Sequence, residues 1–199
     1  MDLPERLRAD LDAALNEATL MGVRLDTASW TAYVTLDVLS LPEHGPPPED
    51  RRVLLVLHPV GRIAASLRHG LWNDETAPVE PFTVDRLDEV VQSFGHLSIY
   101  GWDFFDVPES ENFARWSKHL SLDVSTGAGT LTHSLAFSQD DAGRRTLNCR
   151  LWFDGLTVRD PAGAMIPLER FAADGRRWWD ALHRGDVRTA GSGIIPFGD

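Results

Sequence analysis

Between residues 119 and 159 the chain has no room for a crossover connection. Four segments with strand character, 119–125, 130–137, 147–153 and 156–159, follow one another across Gly127-Ala128-Gly129, Asp141-Ala142-Gly143 and Asp154-Gly155. A parallel pair needs a dozen or more linking residues, whereas short glycine-containing turns close antiparallel hairpins. Upstream, Ala32, Val34, Leu36 and Val38 alternate with Tyr33, Thr35 and Asp37, the period of a half-buried strand. Residues 52–57 and 62–68 read as two more strands, turned at Pro59-Val60-Gly61, and 97–100 as another. The Pro-rich stretch 41–51 between them cannot supply ladder donors and reads as an exposed loop.

Three helices complete the pattern. Leu3, Leu7, Leu11, Ala14, Leu15 and Ala18 form one face of the first, with Asp2 and Glu5 as a capping pair and Gly22 as its stop. The second runs from a Thr83 cap through Leu87, Val90, Val91 and Phe94 to Gly95. The third begins near Pro167 and aligns Leu168, Phe171, Ala172, Gly175, Trp179 and Leu182, with Trp178 on the edge of the stripe. Gly175 leaves open whether this is one helix or two. The order of elements predicts an α+β fold: an antiparallel, curved β-sheet of about seven to nine strands, with about three α-helices packed mainly on one side. Residues 1–186 read as a single domain and the Gly-rich 187–199 as an extended or flexible tail.

Charge is distributed by region. Of the net charge of −11, most sits in residues 71–112, where ten acids face Arg86 alone; residues 140–199 balance nine acids with nine arginines. Such a field repels phosphate backbones, so nucleic acid is not an expected partner. The start of the chain lacks a basic region followed by an apolar run, and no apolar stretch approaches the roughly 18 residues of a membrane span. With Cys149 as the single cysteine, the expectation is a cytoplasmic protein without a disulfide framework.

Catalytic signatures are missing. There is no phosphate-cradling loop ending in Gly-Lys-Ser/Thr, no G-x-S-x-G between strand and helix, and no paired histidines at metal spacing, so no cofactor and no metal are expected. Cys149 shares the face of Leu147, Leu151 and Phe153 and reads as a small buried hydrophobe.

Two features carry a functional reading. The first is Trp102, Asp103, Asp106, Glu109 and Glu111, with Phe104 and Phe105 interleaved: aromatic anchors ringed by one sign of charge suit the docking of a basic protein. The same aromatics also fit the core at a strand end. The second is a set of strand residues with polar handles, Tyr33, His133 and Trp152, candidate walls of a ligand pocket on the concave side of a bent sheet. Trp152 alternates out of the apolar face together with Asn148 and Arg150, so either a second layer covers that side or it marks a groove. The leading expectation is a non-catalytic, immunity- or adaptor-like binding domain for a basic partner. The alternative is a small-molecule-binding protein or enzyme. A homo-oligomer joined through exposed tryptophans is a third possibility.

Overall fold

The computed structural model describes residues 3–101, 103–109, 112–190 and 192–194. Its centre is a pair of long antiparallel strands, β3 (Arg52–Arg68) and β6 (Thr146–Arg159), hydrogen-bonded along nearly their whole length. β2 (Thr31–Asp37) and β4 (Leu122–Ser125) lie end to end along the free side of β3. β5 (His133–Asp140) and the short β7 (Met165–Ile166) do the same along β6. β1 (Thr19–Asp26) adds to β2, which gives a seven-stranded, wholly antiparallel sheet in the order β1-β2-β3-β6-β5.

Four helices accompany it: α1 (Glu5–Leu15), α2 (Leu87–Gln92), α3 (Asn112–Trp116) and α4 (Leu168–His183). The alternation of each strand decides where the core goes. Val34, Leu55, Ile63, Leu135, Phe137, Leu147 and Leu151 point one way, and that side receives Leu11 and Leu15 of α1, Val90 and Val91 of α2 and Phe171 of α4. Segment 97–101 bridges Thr19 of β1 through Ser98 and Ser138 of β5 through Tyr100, so one short stretch touches both outer strands. Ile99 on that stretch belongs to the core.

Several elements differ from the pattern in the sequence. Pro59-Val60-Gly61 is no hairpin turn; it is a bulge inside β3, where the register shifts between Val60 and Arg62. A side chain on Gly61 would run into Leu131 and the Ala128 carbonyl, because the 126–131 loop lies against the bulge. Asp154-Gly155 is likewise interior to β6. α1 ends at Leu15, after which the chain turns at Glu17 (φ 60°) and enters β1; Gly22 sits within that strand. Thr83 precedes a 3-10 turn (Val84–Arg86) leading into α2, but its hydroxyl caps no backbone amide. Asp2 of the expected capping pair lies outside the described residues.

α4 is one helix through Gly175. A Cβ there would lie 2.4 Å from the Ala14 Cβ and 2.5 Å from its Cα, so the glycine is what lets α4 approach α1. The tryptophan pair has the opposite arrangement to the stripe reading: Trp178 is buried beside Leu39 and Leu41, and Trp179 is half-buried with its indole N–H donating to Ala13 O at 2.9 Å. Residues Val187–Thr189 make a 3-10 turn in which Thr189 is buried. Among the described residues, no helix is long and apolar enough to cross a membrane.

Candidate functional site

The side of the sheet away from the helices is polar where β3, β6 and β5 run together. Strand register arranges it in cross-strand rows: Arg62, Trp152 and Ser134; Ala64, Arg150 and Ala136; Ser66, Asn148 and Ser138; Arg68, Thr146 and Asp140. Alanines flank Arg150 and serines flank Asn148, which gives these two room to lie along the sheet. Residues from 69–81, 103–109 and 112–121 lie over this surface, and Trp116 packs with Ala64 and Trp152 as a separate apolar cluster.

The arginines in this layer are bonded differently. Arg62 forms a two-pronged pair with Asp123, Nε to Oδ1 and Nη2 to Oδ2, both at 2.9 Å, and its guanidinium lies 4.7 Å from the Trp152 ring. Arg150 donates to the Val107 carbonyl and, at 2.9 Å, to Ser134 Oγ. Arg68 is 3 % exposed, and its Nη groups reach only backbone carbonyls, Trp72 O at 3.1 Å and Asp74 O at 3.3 Å. Burial pulls the Arg68 pKa below its ordinary value, against the opposing attraction of Asp74 and Glu75. The Nε of Arg68 is buried without an acceptor. So is the amide Nδ2 of Asn148, whose Oδ1 already accepts from Ser138 Oγ at 2.6 Å.

Both residues line a cleft of about 530 Å³, together with Trp72, Tyr100, Gly101, Arg115, Trp116, Asp140 and Thr146. A recess reaching Arg150 and Asp103 adjoins it. Surface depressions of about 460 to 500 Å³ also lie between α1 and α4, under the Pro-rich loop and beside Phe94. Volume therefore does not single out the cleft; the buried donors without acceptors do, because none of them lines those depressions. Leaving such a donor unsatisfied costs about 1–3 kcal/mol. At the rim, Trp72 and Tyr100 are 60 % and 54 % exposed. The carboxylate of Asp140 is turned to its own hairpin, accepting from Gly143 N at 2.7 Å and Thr146 Oγ1 at 3.0 Å.

The sequence-derived candidates lie elsewhere or in pieces. Trp102 and Glu111 are outside the described residues. Phe104 and Phe105 are fully buried core residues, not anchors for a partner. Asp106 turns inward, accepting from His133 Nδ1 at 3.0 Å and from Ser134 N at 2.8 Å. Asp103 and Glu109 are exposed; burial lowers the Arg150 pKa, with the Glu109 charge opposing, and the Arg62 pKa is raised chiefly by Asp123, with a small addition from Glu109. Other acids of 71–112 are also engaged within the chain: Asp74 with Thr76, Glu80 with His69, Asp88 with the Val23 amide and Glu89 with Arg86.

Tyr33, His133 and Trp152 do not share a pocket. Tyr33 lies on β2 under Arg24, His133 faces Phe153 on the core side, and Trp152 points the opposite way from His133. The helix-bearing side of the sheet is filled by the core, and the cleft lies on the other face. Cys149 is fully buried, and burial pushes its thiol up to about 12. Among the described residues, no group of three or more histidine, cysteine or acidic side chains could hold a metal ion.

No protein-family model matches this chain. Nor does any curated protein or solved structure match it.

Proposed function

We propose that the protein binds a small organic molecule in the cleft over the β3–β6–β5 layer. The observation that carries this reading is Arg68: a buried cation with a donor left open, placed at a cleft whose rim is made of exposed aromatic rings. Its volume falls within the range typical of ligand sites, and apolar walls with a few convergent polar groups are what such sites present. Binding, not turnover, is the reading because the lining offers neither an activated nucleophile nor an imidazole. The docking of a basic protein on 71–112 has less support, since the acids there are largely engaged within the chain.

A thermal-shift screen of the purified protein against a diverse small-molecule library tests this. A ligand at a hundred times its Kd stabilises by about 2.7 kcal/mol, a rise of about 5–10 °C for a chain of this size. The double variant W72A/Y100A, altered only at exposed positions, should keep the unliganded Tm and lose the rise. A library without hits, or hits that stabilise the double variant equally, would remove the proposal.

A further inference from the structure

We infer that the cleft is built for a planar aromatic monocarboxylate, whose carboxylate is received by Arg68 and Asn148 and whose ring is held by Trp72 and Tyr100. This rests on the reading of the cleft as a ligand site and specifies its ligand. Three observations converge on it.

Among the described residues that line the cleft, two of the three open groups are donors of the right kind; the third, the acceptor Gln139 Oε1, belongs to the alternate position of β5, opposite Leu147. Arg68 Nε–H and Asn148 Nδ2–H₂ are hydrogen-bond donors with no acceptor, on adjacent cross-strand rows. A carboxylate has two oxygens, and two donors on adjacent rows, one of them cationic, match it. Both donor atoms are buried on residues that line the cleft, so a ligand there engages them through side-chain rotations of the kind common at binding sites.

The charge count favours one negative charge. The charged residues lining the cleft are Arg68, Arg115 and Asp140, a net of one positive charge. A monoanion neutralises it. A phosphate monoester, carrying about −1.5 to −2 at neutral pH, would exceed that charge.

The rim is aromatic in a way that the rest of the surface is not. Among the described residues, Trp72 and Tyr100 are the strongly exposed aromatic side chains, and both line this cleft. Large exposed rings at one mouth, over the buried Trp116, provide faces on which a flat ring stacks.

Isothermal titration of the full chain with indole-3-carboxylate, its uncharged carboxamide, cyclohexanecarboxylate and phenyl phosphate tests the inference. Indole-3-carboxylate should bind best of the four. The carboxamide should be about 10- to 100-fold weaker, the worth of a hydrogen bond to a charged group. N148D places a like charge against the carboxylate with no change of shape; it should weaken indole-3-carboxylate by about tenfold or more and spare the carboxamide. W72A should weaken both. R68M, scored only if its circular dichroism matches wild type, should remove the preference for carboxylate over carboxamide.

Carboxamide binding as tight as carboxylate, phenyl phosphate binding tighter, or an N148D variant that binds indole-3-carboxylate normally would overturn the inference. So would failure of all four probes. The ligand-site reading stands or falls separately, on the uncharged and charged library members of the thermal-shift screen.

Discussion

Asp12 is predicted to make the protein less stable as pH rises from about 4.5 to 8. It lies in the last turns of α1, and its Oδ1 accepts the backbone N–H of Phe104 at 2.8 Å and of Phe105 at 3.0 Å. These bonds hold the stretch that carries Tyr100 to the cleft mouth and pairs with β5. Burial raises the Asp12 pKa from 3.8 to about 6, although the two amide bonds oppose the rise; nearby Asp103 adds to it and Arg8 subtracts. The folded state thus binds the proton more tightly than the unfolded chain. The associated stability is fully present below about pH 4 and is lost as pH climbs through 6.

A rise of about two pKa units is worth at most about 3 kcal/mol, and screening by solvent near the outer oxygen reduces it to the order of 1–2 kcal/mol. Asp12→Asn keeps an oxygen acceptor for both amides and has no charge to bury. It should match wild type at pH 4.5 and exceed it by about 1–2 kcal/mol at pH 8. Asp12→Ala leaves two buried N–H groups unsatisfied and should cost about 2–5 kcal/mol at pH 4.5, and about 1–2 kcal/mol less than that at pH 8, where wild type has itself lost stability. Urea unfolding followed by tryptophan fluorescence at several pH values, with constant m, provides the comparison. Parallel wild-type and D12N curves across that range would refute the reasoning, because the carboxyl would then not be titrating there.

Gly175→Ala gains about 1 kcal/mol of helix propensity, yet its methyl would meet the Ala14 Cβ and backbone, which no rotamer change relieves; a net loss of about 2 kcal/mol is expected by chemical denaturation. Cys149, fully buried with its thiol pushed up to about 12, should react with a thiol reagent only on unfolding, so a fast-reacting native thiol would contradict the fold around β6. Asp154, held down to about 2 by the amides and hydroxyls of Thr130 and Thr132, contributes stability that is present above about pH 4 and lost on acidification; D154N should shift the acid-unfolding midpoint upward less steeply than D154A.

The class of fold was legible because antiparallel pairing follows from connection length alone, and the 119–159 spacing admits little else. Strand ends were not. Pro59-Val60-Gly61 and Asp154-Gly155 carry turn-forming residues, and only the partner strand reveals that the first is a bulge and the second a continuation of β6. β1 was hidden because Ala18 and Leu20 extend the helical stripe, while the left-handed turn at Glu17 has no strong local signature. Asn148, Arg150 and Trp152 could be seen alternating away from the core, which left a covered face and a groove as alternatives; all three are buried in the fold. Arg68 could not be seen as a site residue, because at the end of its strand it looks like an ordinary solvated terminus. It is nevertheless buried, its guanidinium held by the carbonyls of Trp72 and Asp74, in a cleft whose other walls, Tyr100 and Trp116, are distant in sequence. In the acidic segment the charge is visible in sequence, but the inward turn of Asp106 and the pairing of Glu80 with His69 are tertiary.

The most direct test of the ligand site is amide and side-chain chemical-shift mapping of the ¹⁵N-labelled protein with the tightest hit from the small-molecule screen. Perturbations should concentrate on Gly101, Ser138 and the Asn148 side-chain amide, together with the Arg68 Nε–H. Shifts confined to the 41–51 loop or to the α1–α4 surface, with those four unmoved, would contradict it.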